Sequence, residues 1–335
     1  MISPGRRPPL VVIAGATATG KTGLSIRIAQ ALDSAGIPAE IISADSRQVY
    51  RGLDIGTAKV SAAERALVPH HGLDLVDPDQ PFTVADFVAH ADAALEAMAG
   101  RDAIAILVGG TGLYLRAVAG GLPLDALPYD PGLRAELDAE LRGAGLEGLL
   151  ARLDALAPSL GASVDRRNPR RVVRALEIAT LRGDAPRPAA RGYAGTVLWL
   201  GLEVEPALHR SWIERRAIGQ FEAGLIDEAA CLRERWDPTL SAFSAIGYRE
   251  AWGVLDGELA LDDAIALDIR RNVAFARRQR TWFRREPAIE WLDGTADPVS
   301  GALERIRRSI ERSRGSDCTG GTTATSSRGV ATRTG

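Results

Sequence analysis

The chain has two cysteines in 335 residues, Cys231 and Cys318. They lie far apart and outside any Cys-x-x-Cys or Cys/His spacing. That excludes a disulfide framework and a zinc module, and fits a reducing cytosol. Long hydrophobic runs are also missing: no apolar stretch approaches the ~20 residues of a membrane span. The opening MISPGRRPPL is broken by prolines and does not read as a signal peptide. Excess charge of either sign is lacking too. With 41 Lys and Arg against 43 Asp and Glu, no global field draws the protein to nucleic acid, so any basic surface must be local. No internal repeat is visible. The length suits one large domain or two modest ones, with the composition of a soluble globular protein.

What is present alternates in the α/β manner. LVVIA (10–14) reads as a buried strand, 20–35 as a helix and AEIISAD (39–45) as a strand. A helix over 84–99 and a strand AIAILVGG (103–110) follow. Strands joined by right-handed helical crossovers give a parallel sheet. The expected fold class is α/β: a P-loop NTPase-like parallel sheet flanked by helices, with a small all-helical insertion. A proline-rich connector, GLPLDALPYDPG, opens that insertion at about 122. Residues 131–182 read as helices only, and GTVLWLGLEVE (195–205) returns to the sheet. The expected division is a catalytic core of 8–121 and 197–314 with an insertion of 122–196. Long helices over 206–235 and 261–285 and a strand over 288–293 complete the core. The Ser/Thr/Gly-rich 315–335 has too little apolar surface to offset ordering entropy and is expected to be disordered.

The sequence GATATGKT (15–22) spells G-x-x-x-x-G-K-T between the first strand and the first helix. Gly15 and Gly20 let the backbone turn its N–H groups inward along Ala16, Thr17, Ala18 and Thr19. Lys21 adds a mobile positive charge, Thr22 offers a hydroxyl to Mg²⁺, and the helix presents its positive end. Strand and helix stand where this mechanism needs them, so the loop is read as a phosphate site. An NTPase also needs an acid at the end of a second apolar strand. The 103–108 strand ends in Val-Gly-Gly-Thr, and the strand-terminal acid is Asp45. Asp45 could take a proton from a hydroxyl, as in a small-molecule P-loop kinase, or from an amine. The loop alone does not separate these.

The neighbours of Asp45 carry a resemblance. Asp45-Ser46-Arg47-Gln48-Val49-Tyr50 is followed by GLDIGTAK (52–59), HHGLD (70–74), ADF (85–87) and VGGTGLY (108–114). NPRR (168–171) with RALE (174–177), IGYRE (246–250) and RQRTW (278–282) come later. This ordered set, from about 10 to 293, resembles the bacterial tRNA dimethylallyltransferases, the tRNA isopentenyltransferase family. The resemblance implies transfer of a dimethylallyl group from its diphosphate to N6 of the adenosine 3′ of the anticodon, position 37. The loop would then hold a departing diphosphate. It further implies that Arg216 adds a second positive group, that Asp45 accepts the N6 proton and that Thr111 helps place the target base. Ser46, Arg47, Gln48, Gln279 and Arg134 become candidate tRNA contacts by the same likeness. Mg²⁺ is the expected cofactor, and the expected partners are the tRNA anticodon stem-loop and dimethylallyl diphosphate. A cytoplasmic monomer is expected. The sequence departs from the family at Ala16 and Val60, where Pro is usual. It departs also at Trp212, where Arg is usual, and at Asn272-Val273, where Thr-Arg is common.

Two arginine clusters supply local basic surface. Segment 166–174 holds Arg166, Arg167, Arg170, Arg171 and Arg174. Asn168 suits a cap and Pro169 the first helical position, so the last four arginines share a face. The resemblance turns this solvated face into a tRNA contact. In the last long helix, Arg270, Arg277 and Arg284 repeat every seven residues, as do Arg271, Arg278 and Arg285. A seven-residue step drifts only ~20° around a helix, so two basic columns run up one side. Leu261, Ile265, Ile269, Val273 and Ala276 are expected on the apolar side. No acid interrupts 270–285, whereas a salt-bridged surface alternates sign. The columns are read as phosphate-backbone contacts. Adjacent His70 and His71 point apart and are read as structural, and Trp282, Phe283 and Trp291 as core. A non-catalytic RNA-binding protein with a vestigial loop is the remaining alternative.

Overall fold

A computed structural model describes residues 7–186 and 188–319. The chain divides into two compact units, one of residues up to Leu115 together with those from Tyr193 onward, the other Arg116–Gly192.

The first unit is built on β1 (Leu10–Gly15), which leads through the glycine loop into α1 (Lys21–Ser34). Leu24, Ile28 and Leu32 recur at every fourth position of α1 and are buried against the sheet, the spacing of a helix with one apolar stripe. Next come β2 (Ala39–Ser43), α2 (Ala62–Leu67), the two-residue β3 (His70–His71), α3 (Val84–Ala99), β4 (Ile104–Gly109) and α4 (Gly112–Ala119). Capping boxes start α2 (Ser61 with Glu64) and α3 (Thr83 with Asp86).

The second unit carries α5 (Pro131–Leu156), α6 (Pro158–Ser163) and α7 (Pro169–Arg182). Gly145, at φ 72°, interrupts α5. Asn168 caps α7 by accepting from the Arg171 N–H at 3.3 Å. Leu137, Leu149, Leu153, Val172, Val173 and Leu176 form a separate core here.

The chain then returns through β5 (Val197–Glu203), α8 (Pro206–Glu222), α9 (Leu225–Arg235), α10 (Tyr248–Leu255), α11 (Leu261–Phe283), β6 (Ile289–Asp293) and α12 (Val299–Thr319). The single helix expected over 206–235 is two, because the chain turns at Gly224 with φ 97°, a conformation glycine adopts without steric cost. The α12 helix extends to Thr319, so the first residues of the expected disordered tail are helical; the rest of that tail lies outside the described residues.

Among the described residues all six strands are parallel, in the order β3-β2-β4-β1-β5-β6. Both β1 and β4 are buried throughout, as expected where helices cover both faces. The order places the functional loops. Strands β2, β4 and β1 are neighbours, so the loops leaving their carboxyl ends share one edge of the sheet. Those loops carry Asp45, Thr111 and residues 15–22 respectively. Open parallel sheets bind ligands in this crevice, where crossovers depart in opposite directions. A second core, around Phe243, Tyr248 and Trp252, joins α9 and α10 to the 49–55 segment.

Candidate active site

Close packing shapes the glycine loop. A Cβ at Gly15 would stand 3.0 Å from Thr19 Oγ1 and 3.3 Å from the Leu202 carbonyl oxygen. Gly20 caps α1 at φ 84° and Ala18 stands at φ 59°. A non-glycine residue in that region costs about 1–3 kcal/mol and tends to occur where function fixes the backbone. Three side chains brace the loop from α8 and α11. The Thr17 N–H donates to Gln279 Oε1 at 2.8 Å. His209 Nε2 donates to the Thr17 carbonyl at 2.8 Å, and Arg216 donates to Thr17 Oγ1. Gln279 also donates from Nε2 to the Gly110 carbonyl at 2.9 Å. One buried amide thus ties the phosphate loop to the turn after β4.

Two cations share this loop. Lys21 turns its ammonium onto the Ala16 carbonyl. Burial, and then the nearby Arg216 charge, bring Lys21 down to about 7, while Asp45 pulls the other way. Arg216 is lowered by burial and supported by Asp45 and Asp268. Its Nε is buried without a hydrogen-bond partner. Desolvated like charges side by side are unfavourable until a polyanion enters.

Asp45 faces both cations closely enough to bias each electrostatically. The Arg47 N–H holds one Asp45 carboxylate oxygen at 2.8 Å. Thr111 stitches both sides of Asp45 in place. Its N–H donates to the Ala44 carbonyl at 3.3 Å and its Oγ1 accepts the Ser46 N–H at 3.1 Å. The glycines around Thr111 make this approach possible. A Cβ at Gly109 would lie 2.1 Å from the Ala44 oxygen, one at Gly110 2.3 Å from Gln279 Nε2, and one at Gly112 2.5 Å from the Trp282 ring. The G-G-T-G run is therefore a packing requirement of the site.

The other expected site residues separate into bound and exposed groups. Gln48 accepts from Ser43 Oγ and donates to the Thr57 and Ala58 carbonyls, and Arg47 reaches the Ser241 carbonyl. Gln279 is buried and engaged as above. Arg277 and Arg278 are exposed, with Arg278 over the Phe275 ring. Of the two arginine columns, Arg271 is withdrawn to a pair with buried Glu250, and Arg284 pairs with Glu203 at 2.8 Å. The buried stripe of α11 is Ala264, Asp268, Ala276, Gln279 and Phe283. It is turned about one residue from the expected Leu261, Ile265, Ile269, Val273 and Ala276. The reason is that Asp268 and Gln279 have partners: Asn272 Nδ2 donates to Asp268 Oδ1 at 2.7 Å. Thus Asn272, one of the family departures, serves a buried carboxylate that burial pushes up to about 6.

In the second unit Arg170 and Arg171 are exposed. Arg134 and Arg174 both pair with Glu177, which has no solvent exposure, and Arg166 pairs with Asp154 at 2.7 Å. His70 and His71 form β3, and His71 Nε2 meets Glu40 at 2.7 Å. Among the described residues no three His, Cys, Asp or Glu side chains form a metal site. Thr22 is exposed at the first turn of α1. A Mg²⁺ ion there would be held by phosphate oxygens, water and the Thr22 hydroxyl, which suits an ion that keeps several waters.

Sequence reasoning passed over His209, Asp268 and Glu228. Glu228 accepts the N–H groups of Asp54, Ile55 and Gly56 and the Tyr248 hydroxyl. It thereby fixes the G-L-D-I-G-T segment, and a Cβ at Gly56 would lie 2.5 Å from the Tyr248 ring. The available signal was a polar residue on a buried helical stripe, as at Asp268 four residues after Ala264.

A parallel sheet whose central strand opens into a lysine-bearing glycine loop defines a P-loop α/β protein. A family model of IPP transferases matches residues 48–286. The tRNA dimethylallyltransferase of Roseiflexus sp. (strain RS-1) is 44% identical over 311 residues, covering 90% of this chain and 98% of that protein. That of a Thermus thermophilus strain is 43% identical over 285 residues, covering 82% and 89%. The chain belongs to the IPP transferase family. Among solved structures, the full-length tRNA isopentenylpyrophosphate transferase from Bacillus halodurans superposes with a TM-score of 0.69 at 36% identity, covering 93% of this chain and all of that one. A eukaryotic dimethylallyltransferase acting on tRNA gives 0.72 at 25% identity, covering 92% and 80%.

Proposed function

We propose that this protein transfers the dimethylallyl group of dimethylallyl diphosphate to N6 of the adenosine at position 37 of tRNA, releasing diphosphate. The observation that carries the reading is the pairing of two desolvated cations, Lys21 and Arg216, on the phosphate loop with a carboxylate, Asp45, facing them. An allylic carbon bonded to diphosphate is already a good electrophile. The protein's work is to stabilise the departing charge and to position the amine.

The carbon–oxygen bond breaks and its electron pair leaves with the diphosphate. Loop N–H groups, Lys21 and Arg216 receive that charge. The N6 lone pair forms the new carbon–nitrogen bond, and Asp45 takes the N6 proton. Thr111 keeps the Asp45 segment in place through its bonds to Ala44 and Ser46. Mg²⁺ beside Thr22 would draw negative charge from the leaving group. The acceptor base must be unstacked first, which costs least in a single-stranded loop. Exposed Arg170, Arg171, Arg277 and Arg278 are the candidate RNA contacts. Because the proposed acceptor is tRNA, we assign the work to the cytoplasm.

A kinase reading is not favoured. Strand β4 ends at Gly109 and is followed by Gly110-Thr111 with no acid, Glu203 at the end of β5 is paired with Arg284, and the family points elsewhere. Incubation with dimethylallyl diphosphate, Mg²⁺ and unmodified tRNA, followed by nucleoside mass spectrometry, tests the proposal. The expected product is adenosine carrying one five-carbon group at position 37. Phosphoryl transfer from ATP without alkylation would reverse it.

A further inference from the structure

Tyr129, in the connector before α5, is the most exposed large hydrophobic side chain among the described residues, at 63%. Exposure alone means little, but its backbone is held on both sides. Arg174 donates to the Pro128 carbonyl at 2.7 Å, and the Asp130 N–H donates to Glu177 Oε1 at 3.0 Å. Asp130 in turn caps α5, accepting the Gly132 and Leu133 N–H groups at 2.8 and 3.0 Å. The ring is therefore presented to solvent from a fixed mount. The Arg134 guanidinium lies 5.9 Å from the ring centroid, and Arg134 Nε is a buried donor with no partner. Arg174 shares a helical face with Arg170 and Arg171, four and three residues earlier, and those two are exposed.

We propose that Tyr129, backed by Arg134, is a stacking platform for an unpaired base of the tRNA anticodon loop, with Arg170 and Arg171 on the adjoining phosphates. The inference rests on the tRNA reading above and deepens it. The chemistry is that of single-stranded RNA recognition, in which an aromatic face and a guanidinium plane hold a splayed base. A tyrosine on a fixed backbone has only two side-chain torsions to lose on binding. An apolar protein partner would gain nothing from the surrounding arginines.

The test uses the full chain and a fluorescently labelled anticodon stem-loop, with affinity read by anisotropy for wild type, Tyr129→Ala and Tyr129→Phe. Thermal melts establish that the variants fold. Removal of the ring should weaken binding by about 5- to 150-fold, the range for loss of one stacked base. Tyr129→Phe should stay within about twofold, since stacking needs only the ring. Abasic substitutions walked through the loop should identify one position at which Tyr129→Ala has no further effect. Wild-type affinity in Tyr129→Ala, or equal losses in both variants, would overturn the platform while leaving the transferase reading intact. Failure of folded wild type to bind or alkylate any tRNA would remove the reading beneath it.

Discussion

Lys21 provides a pH signature for the phosphate loop. Burial and the Arg216 charge bring its ammonium down to about 7, well below the usual ~10.4 of lysine. A bound diphosphate, an opposite charge against Nζ, restores the protonated form. Binding above neutrality must then take up a proton. The sign follows from linkage: the liganded state binds more protons, so affinity falls as pH rises through the free-state value. About half of the Lys21 side chains are charged at pH 7 and about a hundredth at pH 9, which predicts a roughly 50-fold weaker Kd at pH 9. That factor corresponds to about 2.3 kcal/mol. Calorimetry with dimethylallyl diphosphate in two buffers of different ionisation enthalpy should show close to one proton taken up per site at pH 8. Lys21→Met, which keeps the other titrating groups and the ligand's own protons, supplies the baseline and should bind weakly with a flatter profile. Equal Kd values at pH 7 and 9, or the same slope in Lys21→Met, would refute the reasoning.

Other outcomes follow from the same geometry. Gln279→Leu leaves the Thr17 N–H and Gly110 carbonyl unpaired. It should lower stability by about 1–3 kcal/mol and weaken diphosphate binding, read by denaturant melts and calorimetry. Gly109→Ala drives a methyl against the Ala44 oxygen, where its Cβ would lie 2.1 Å away. It should cost about 1–3 kcal/mol as overpacking and displace Asp45, so turnover should fall further than stability alone explains. Arg170→Ala with Arg171→Ala should lower the slope of log Kd for tRNA against log salt by about 1–2, since each lost phosphate contact removes roughly 0.7–0.9.

The parts of the fold legible in sequence were those with a single dominant signal. The apolar runs of β1 and β4 and the caps of α7 announced themselves, and the G-x-x-x-x-G-K-T spacing located the loop. Periodicity and spacing alone do not pick out the site's braces, because their signals compete; Gln279 and Arg216 were legible only through the family resemblance. Asp268 and Gln279 sit on a stripe that a hydrophobic reading assigns to neighbouring aliphatics, and only the bonds to Asn272, Thr17 and Gly110 justify burying them. Basic columns on α11 were legible as spacing, but the partners of Arg271 and Arg284 come from α10 and β5, far away in sequence. Gly224 lies within a continuous helical pattern, where its positive φ leaves no trace in periodicity.

In the proposed reaction Asp45 accepts the amine proton while the loop carries off the diphosphate. The most direct measurement is single-turnover alkylation of a defined unmodified tRNA by Asp45→Asn, with both substrates saturating. A lost general base should slow the chemical step by about 10²- to 10⁴-fold while the variant still binds tRNA. Alkylation at the wild-type rate would contradict it.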